Sequence, residues 1–210
     1  MMKMSISIDG FAGTTNGEID WIFNTMDQEA TAWIVGLCRT AGLHIMGSKT
    51  FNDMASYWPT SNEAIAAPMN EIPKAVFTQR GFKSFDPEQT TTAVENVMKY
   101  NTSRGILPST EALPFADSWA EARVFHGDLA EGIRKLKEEQ GKPILAHGGA
   151  GFMRNLIATS LIDEYHLLTH PAVLGAGMPI FTGLSSPLDL KLVDVKVFPA
   201  GAVVHTYHPL

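Results

Sequence analysis

The sequence predicts an α/β fold in which a mixed sheet is covered by helices, and three observations carry that prediction. Short apolar segments of strand type alternate with helical patterns through the early and middle chain. A β-rich tail follows and ends in two strands joined through Pro199-Ala200-Gly201. Between them, Lys142-Pro143-Ile144-Leu145-Ala146-His147-Gly148-Gly149-Ala150-Gly151-Phe152-Met153-Arg154 reads as a buried strand breaking into glycines and then a helix. The 210 residues contain no convincing repeat, low-complexity tract or linker, so one domain over residues 1–210 is expected.

The first strand is expected over 3–8, where the alternation stops at the Asp9-Gly10 turn signal. Asp27 can cap a helix running to about Thr40, with Ala30, Trp33, Ile34, Leu37 and Cys38 at helical spacing. A short strand at 43–46 runs into Gly47-Ser48-Lys49-Thr50-Phe51, and another is expected at 74–78. Asp86-Pro87-Glu88-Gln89 combines a capping aspartate, a proline at the first helical position and a glutamine at the third, which predicts a helix from Pro87 to about Tyr100. The stretch 101–116, with Gly105, Pro108 and Pro114, reads as a long loop, either a lid or partner surface or a tolerated insertion. A strand at 123–125 precedes Asp128-Leu129-Ala130-Glu131, a second capping box, and a helix carrying Leu129, Ile133 and Leu136. Strands at 143–147, 164–170, 191–198 and 202–208 complete the pattern.

Composition narrows the function. With 45% apolar and 18% charged residues, the chain can bury a substantial core. A formal charge of -6 argues against nucleic acid or an anionic membrane as partner. Cys38 is the single cysteine, which excludes an intrachain disulfide and a thiolate cluster and fits a reducing cytoplasm. No segment approaches 18 uninterrupted apolar residues and no secretory h-region opens the chain, so membrane spanning and export are not expected. The seven histidines form no recognised metal signature, and no metal is implied.

The glycine run points to a phosphate. Glycines permit a tight turn and close backbone approach, and the first free N–H groups of the following helix can receive an anion. A dinucleotide is the leading ligand, although the same pattern serves an ordinary strand-to-helix turn. The spacing is neither the dinucleotide fingerprint of a Rossmann fold nor a P-loop.

Several segments, taken in order, are similar to the bacterial riboflavin-biosynthesis reductase domain, a family that shares its fold with dihydrofolate reductase. They are Ser7-Ile8-Asp9-Gly10-Phe11, Gly47-Ser48-Lys49-Thr50-Phe51, Trp58-Pro59, Lys74-Ala75-Val76-Phe77-Thr78, His147-Gly148-Gly149-Ala150-Gly151, Leu161-Ile162-Asp163-Glu164-Tyr165, Pro171-Ala172-Val173-Leu174-Gly175-Ala176-Gly177 and the ending near Tyr207. The resemblance implies a dihydrofolate reductase-like α/β domain with NADPH across the C-terminal edge of its sheet, and a homodimer. It matches Gly47 and Thr50 to cofactor-phosphate contacts, Thr78 to a hydroxyl near the adenosine phosphate, and Gly148, Gly149 and Ala150 to the pyrophosphate turn; with the neighbouring Ser48, Lys49, Arg80 and Gly151 these are the expected cofactor-binding residues, Lys49, Thr78 and Arg80 being the expected 2'-phosphate contacts. It places Asp9, Trp21, Phe51 and Trp58 around a substrate pocket.

Bottom-up chemistry allows these roles and leaves others open. Thr50, Thr78 and backbone N–H groups can donate to phosphate oxygens, and Lys49 and Arg80 can add charge or simply face solvent. Trp21, Phe51 and Trp58 also suit a hydrophobic core, and Asp9 can simply terminate the first strand. Ser48 stands where dihydrofolate reductases often carry an arginine, and His147 where the riboflavin reductases commonly carry an acidic residue. The reading is an NADPH-dependent reductase acting on a small pterin-like or flavin-precursor-like heterocycle. The alternative is a catalytically silent nucleotide-binding or assembly protein.

Overall fold

The computed structural model describes residues 1–79 and 91–210. Eight strands join one sheet: β1 Met2–Ser7, β2 Leu43–Gly47, β3 Lys74–Thr78, β4 Arg123–His126, β5 Ile144–Ala146, β6 Tyr165–His170, β7 Leu190–Val197 and β8 Val203–Pro209. Their order is β4-β3-β2-β5-β1-β6-β8-β7. Pairings from β4 across to β6 are parallel, while β8 runs against both β6 and β7. The β-rich tail of the sequence is this antiparallel edge.

Six α-helices are described: α1 Gln28–Thr40, α2 Ser48–Tyr57, α3 Ala66–Glu71, α4 Thr92–Ser103, α5 Leu129–Glu138 and α6 Ala150–Ala158. The expected caps of α1 and α5 are present. The Ala30 N–H donates to the Asp27 carboxylate at 2.8 Å, and the Glu131 N–H donates to Asp128 at 2.8 Å. Such caps contribute about 1 kcal/mol each. α4 runs from Thr92 to Ser103, three residues past the predicted end; the Asp86-Pro87 start predicted for it lies outside the described residues. Among the described residues no helix is long and apolar enough to cross a membrane.

Helices cover both faces, which the alternation along the central strands makes visible. Ile45, Ala75, Phe77 and Ala146 pack with Ile133 and Leu136 of α5 and with Met153, Leu156 and Ile157 of α6. Met46, Val76, Leu145 and Leu168 face the other way, against Ala30, Ile34 and Cys38 of α1 and Phe51 and Ala55 of α2. Parallel strands buried on both sides therefore read as continuous apolar runs. An isolated 13-residue helix such as α1 is marginal in water, and its buried row supplies the stability that local propensity lacks.

The long loop after α4 is tied to its neighbours. The Ser109 N–H donates to the Thr60 carbonyl and the Leu113 N–H to the Pro59 carbonyl, both at 2.7 Å. Asn62 Nδ2 donates to the Leu107 carbonyl at 2.9 Å.

Candidate functional site

β2 and β5 are hydrogen-bonded neighbours, yet the helices that leave them go to opposite faces. α2 follows β2 onto one face and α6 follows β5 onto the other. Such a switch point opens a crevice at the C-terminal ends of the strands, where ligands of open α/β sheets bind. The crevice here is a cleft of about 1110 Å³. Both helix N-termini border it, and neither N-cap, Gly47 or Gly149, offers a side chain to the first N–H groups. Those groups remain available to an anion.

Close approach of the two helices explains the glycines. A Cβ on Gly47 would stand 3.0 Å from the Phe152 Cβ on α6. Gly149 has φ +88°, a left-handed conformation that side chains rarely adopt, and a Cβ there would run into the Thr50 hydroxyl. The Thr50 side chain and the 148–149 turn thus touch across the head of the cleft.

Of the residues singled out in the sequence, Gly47, Ser48, Lys49, Thr50, Trp58, Thr78, Gly148, Gly149, Ala150 and Gly151 line this cleft. Arg80 lies outside the described residues. Phe51, Asp9 and Trp21 stand elsewhere. Phe51 is 1% exposed and packs its ring against Trp119, because one residue on from Thr50 a helix has turned about 100° toward the sheet. Asp9 accepts from the Ser7 hydroxyl at 2.6 Å and from the Gly175 N–H at 2.7 Å, with Leu174 N–H also donating at 3.1 Å. It fastens the 174–175 loop to the end of β1, and these bonds hold its pKa below the usual 3.8. Trp21 sits in a 3-10 turn, edge-on to His170, and its Nε1–H donates to the Glu18 carbonyl at 3.3 Å.

The cleft also holds polar residues that the sequence reading passed over: Asp53, Tyr57, Glu63 and Asn101. Tyr57 donates its hydroxyl proton to Glu63, and Asn101 Nδ2 donates to Glu63 Oε1 at 2.8 Å. Burial raises the pKa of Asp53, with Lys49 and Thr91 pulling the other way. Thr50, Asp53 and Tyr57 are three and then four residues apart, so once α2 is known to be a helix its cleft-facing stripe is legible. Ile22, Phe23, Met26, Ile34 and Ile65 make an apolar wall beside these groups.

Beneath the cleft, Cys38, His44 and His147 meet in the core, 1%, 0% and 7% exposed. The two imidazole rings pack edge to face with centroids 4.5 Å apart. Burial pulls the His44 pKa down to about 4 and that of His147 well below 6.5, and pushes the Cys38 thiol up to about 11. No sequence signal could join them, since His147 is brought to the other two by the β2–β5 pairing alone.

A largely parallel sheet with two uncapped helix N-termini flanking one cleft defines an α/β protein with a ready anion cradle at its switch point. Residues 1–204 match the RibD C-terminal domain, and the chain belongs to that family. Uncharacterized protein YyaP of Bacillus subtilis is 26% identical over 208 residues, which cover 99% of this chain and 93% of that protein. A candidate riboflavin biosynthesis protein from Shewanella sp. PV-4 superposes with a TM-score of 0.69 at 19% identity, over 100% of this chain and 97% of the other. A diaminohydroxyphosphoribosylaminopyrimidine deaminase/5-amino-6-(5-phosphoribosylamino)uracil reductase from Thermotoga maritima gives 0.64 at 16% identity, over 100% of this chain and 56% of that longer one. The chain therefore has a RibD-like reductase fold.

Proposed function

We propose that this protein is an NADPH-dependent reductase that delivers hydride to a small conjugated heterocycle of pterin-like or flavin-precursor-like type. The observation that carries the reading is the convergence of the α2 and α6 N-termini, both without side-chain caps, on one cleft at the switch point. Two such ends, with the Thr50 and Thr78 hydroxyls beside them, supply the donors that a dinucleotide diphosphate requires. Lys49 adds the positive charge that favours a 2'-phosphate, with Arg80 the further candidate.

When bound, the reduced nicotinamide supplies the hydride, and the protein's share is position and surroundings. The apolar wall of Ile22, Phe23 and Met26 excludes water from a flat ring. Glu63, whose Oε1 is held by Tyr57 and Asn101, offers its other carboxylate oxygen as an acceptor to the ring's polar edge. Asp53, its pKa raised by burial, is the carboxyl group suited to hold a proton near the acceptor.

We also propose a homodimer through the sheet edge at β7. Leu192, Val193, Val195 and Val197 are exposed there, on an edge strand whose open side is a template for pairing.

The deciding experiment incubates the protein with NADPH and a panel of pterins and aminopyrimidines and follows loss of reduced-nicotinamide absorbance. Turnover that depends on both partners supports the proposal. Saturable NADPH binding with no turnover on any ring would instead favour a nucleotide-binding protein that keeps the reductase fold.

A further inference from the structure

The core face under the cleft carries a set of donors that the proposed reduction does not use. Cys38 closes the buried row of α1, His44 is the second residue of β2, and His147 follows β5. One ligand atom from each, the Cys38 Sγ and a ring nitrogen of each histidine, lies within 4.8 Å of the others. Both ring nitrogens of His44 and the Nε2 of His147 are buried without a hydrogen-bond partner. The Cys38 backbone carbonyl faces the His44 ring and raises its pKa, but the contact falls short of full hydrogen-bond geometry. A buried polar atom without a partner is costly, and one ring nitrogen on each of the two histidines can be satisfied by a common partner.

The geometry is close to that of a metal site. Metal–sulfur and metal–nitrogen lengths of about 2.3 and 2.0 Å put the donors of a trigonal set roughly 3.5 to 3.7 Å apart. From a separation of 4.8 Å, inward shifts of about 0.5 Å by the sulfur and about 0.8 Å by each nitrogen would reach that spacing. Charge then selects the ion. Lys3 acts electrostatically on Cys38 and His147, and Lys74 on both histidines. Lys3 pulls against the burial that raises the Cys38 pKa, and Lys3 and Lys74 in their protonated forms oppose surplus positive charge beside them. With one thiolate and two neutral imidazoles, a monovalent ion leaves the set neutral and a divalent ion leaves it positive. Thiolate ligation favours soft ions, Cu(I) among them.

We propose that Cys38, His44 and His147 form a buried three-donor site for a soft monovalent cation of the Cu(I) type, with His147 bordering both this site and the cleft. Binding forms one metal–sulfur and two metal–nitrogen bonds and breaks the Cys38 S–H bond. The proton leaves to solvent and no oxidation state changes.

The test titrates the intact protein anaerobically with Cu(I) held by a chromophoric chelator. One ion per chain should leave the chelator, and X-ray absorption should show one sulfur and two nitrogen ligands. Cys38→Ser, a one-atom change checked for folding by circular dichroism, should bind at least about tenfold more weakly, since losing a ligand costs no less than losing its outer-shell support. The proposal is overturned if wild type draws no copper from the chelator, or if its absorption spectrum lacks the thiolate. Equal uptake by folded Cys38→Ser, or tighter binding of Zn(II) than of Cu(I), would also overturn it.

Discussion

Gly149→Ala tests the meeting of α2 and α6 at the head of the cleft. Two costs follow from the structure. The residue sits at φ +88°, and holding an alanine in so sparsely populated a conformation costs about 1–3 kcal/mol. The added methyl also runs into the Thr50 hydroxyl, and forcing a methylene into a packed contact costs about 1–3 kcal/mol more. The variant should therefore lose about 2–6 kcal/mol in urea unfolding. Thr50→Ala removes the obstructing oxygen, so the double variant should recover the steric share and keep the backbone share. A coupling of at least about 1 kcal/mol between the two positions is expected, as for residues in direct contact. NADPH titration on the same proteins adds a second readout, with the Gly149 variant weakened wherever it remains folded. Strictly additive unfolding energies, or a Gly149→Ala protein as stable as wild type, would refute this placement of the turn.

Other perturbations follow from the same geometry. Asp9→Ala should loosen the 174–175 loop, detectable as faster amide exchange at Gly175. Because the folded carboxylate has its pKa lowered below 3.8, its contribution is present above that value and fades as pH falls through the folded pKa; the stability gap between wild type and Asp9→Ala should close in acid. Lys74 is 1% exposed, donates to the Asn70 carbonyl at 3.0 Å and lies over Trp119, and burial lowers its pKa to about 7. The unfolded chain holds that proton up to about 10.5, so wild-type stability should gain on a Lys74→Met variant as pH rises from 7 toward 10.5. A flat difference across that window would remove the burial assignment. Val195→Lys at the β7 edge should turn a dimer into a monomer in sedimentation; a wild-type monomer at dilute concentration would end the dimer proposal.

What the sequence made legible follows from how local each signal is. Asp27 and Asp128 announce their helices because a cap acts within three residues, and the central strands β2, β3 and β5 show because they bury both faces. α2 went unread: its Gly47 cap carries no side chain, and Ser48-Lys49-Thr50-Phe51 resembles a loop until the sheet gives the helix a partner. α3 is six residues long with Pro68 inside it, too short to show a period. The glycine turn and Thr50 were identifiable as phosphate-type residues, while their contact was not, because it depends on β5 inserting beside β2. For Phe51 the resemblance implies a pocket position and its residue type a core one; it lies in the core, a single step around the helix from the cleft. Asp53, Glu63 and Asn101 come together only through tertiary packing and carried no motif.

NADPH is proposed to occupy the cleft between the α2 and α6 N-termini. Calorimetric titration of the wild-type protein with NADPH, run beside NADH and beside Thr50→Val, tests it most directly. Saturable binding of one NADPH per chain, weaker for NADH and weakened at least about tenfold (roughly 1.4 kcal/mol) in folded Thr50→Val, is the predicted result. No saturable heat with NADPH, or an affinity untouched by the Thr50 change, would contradict it.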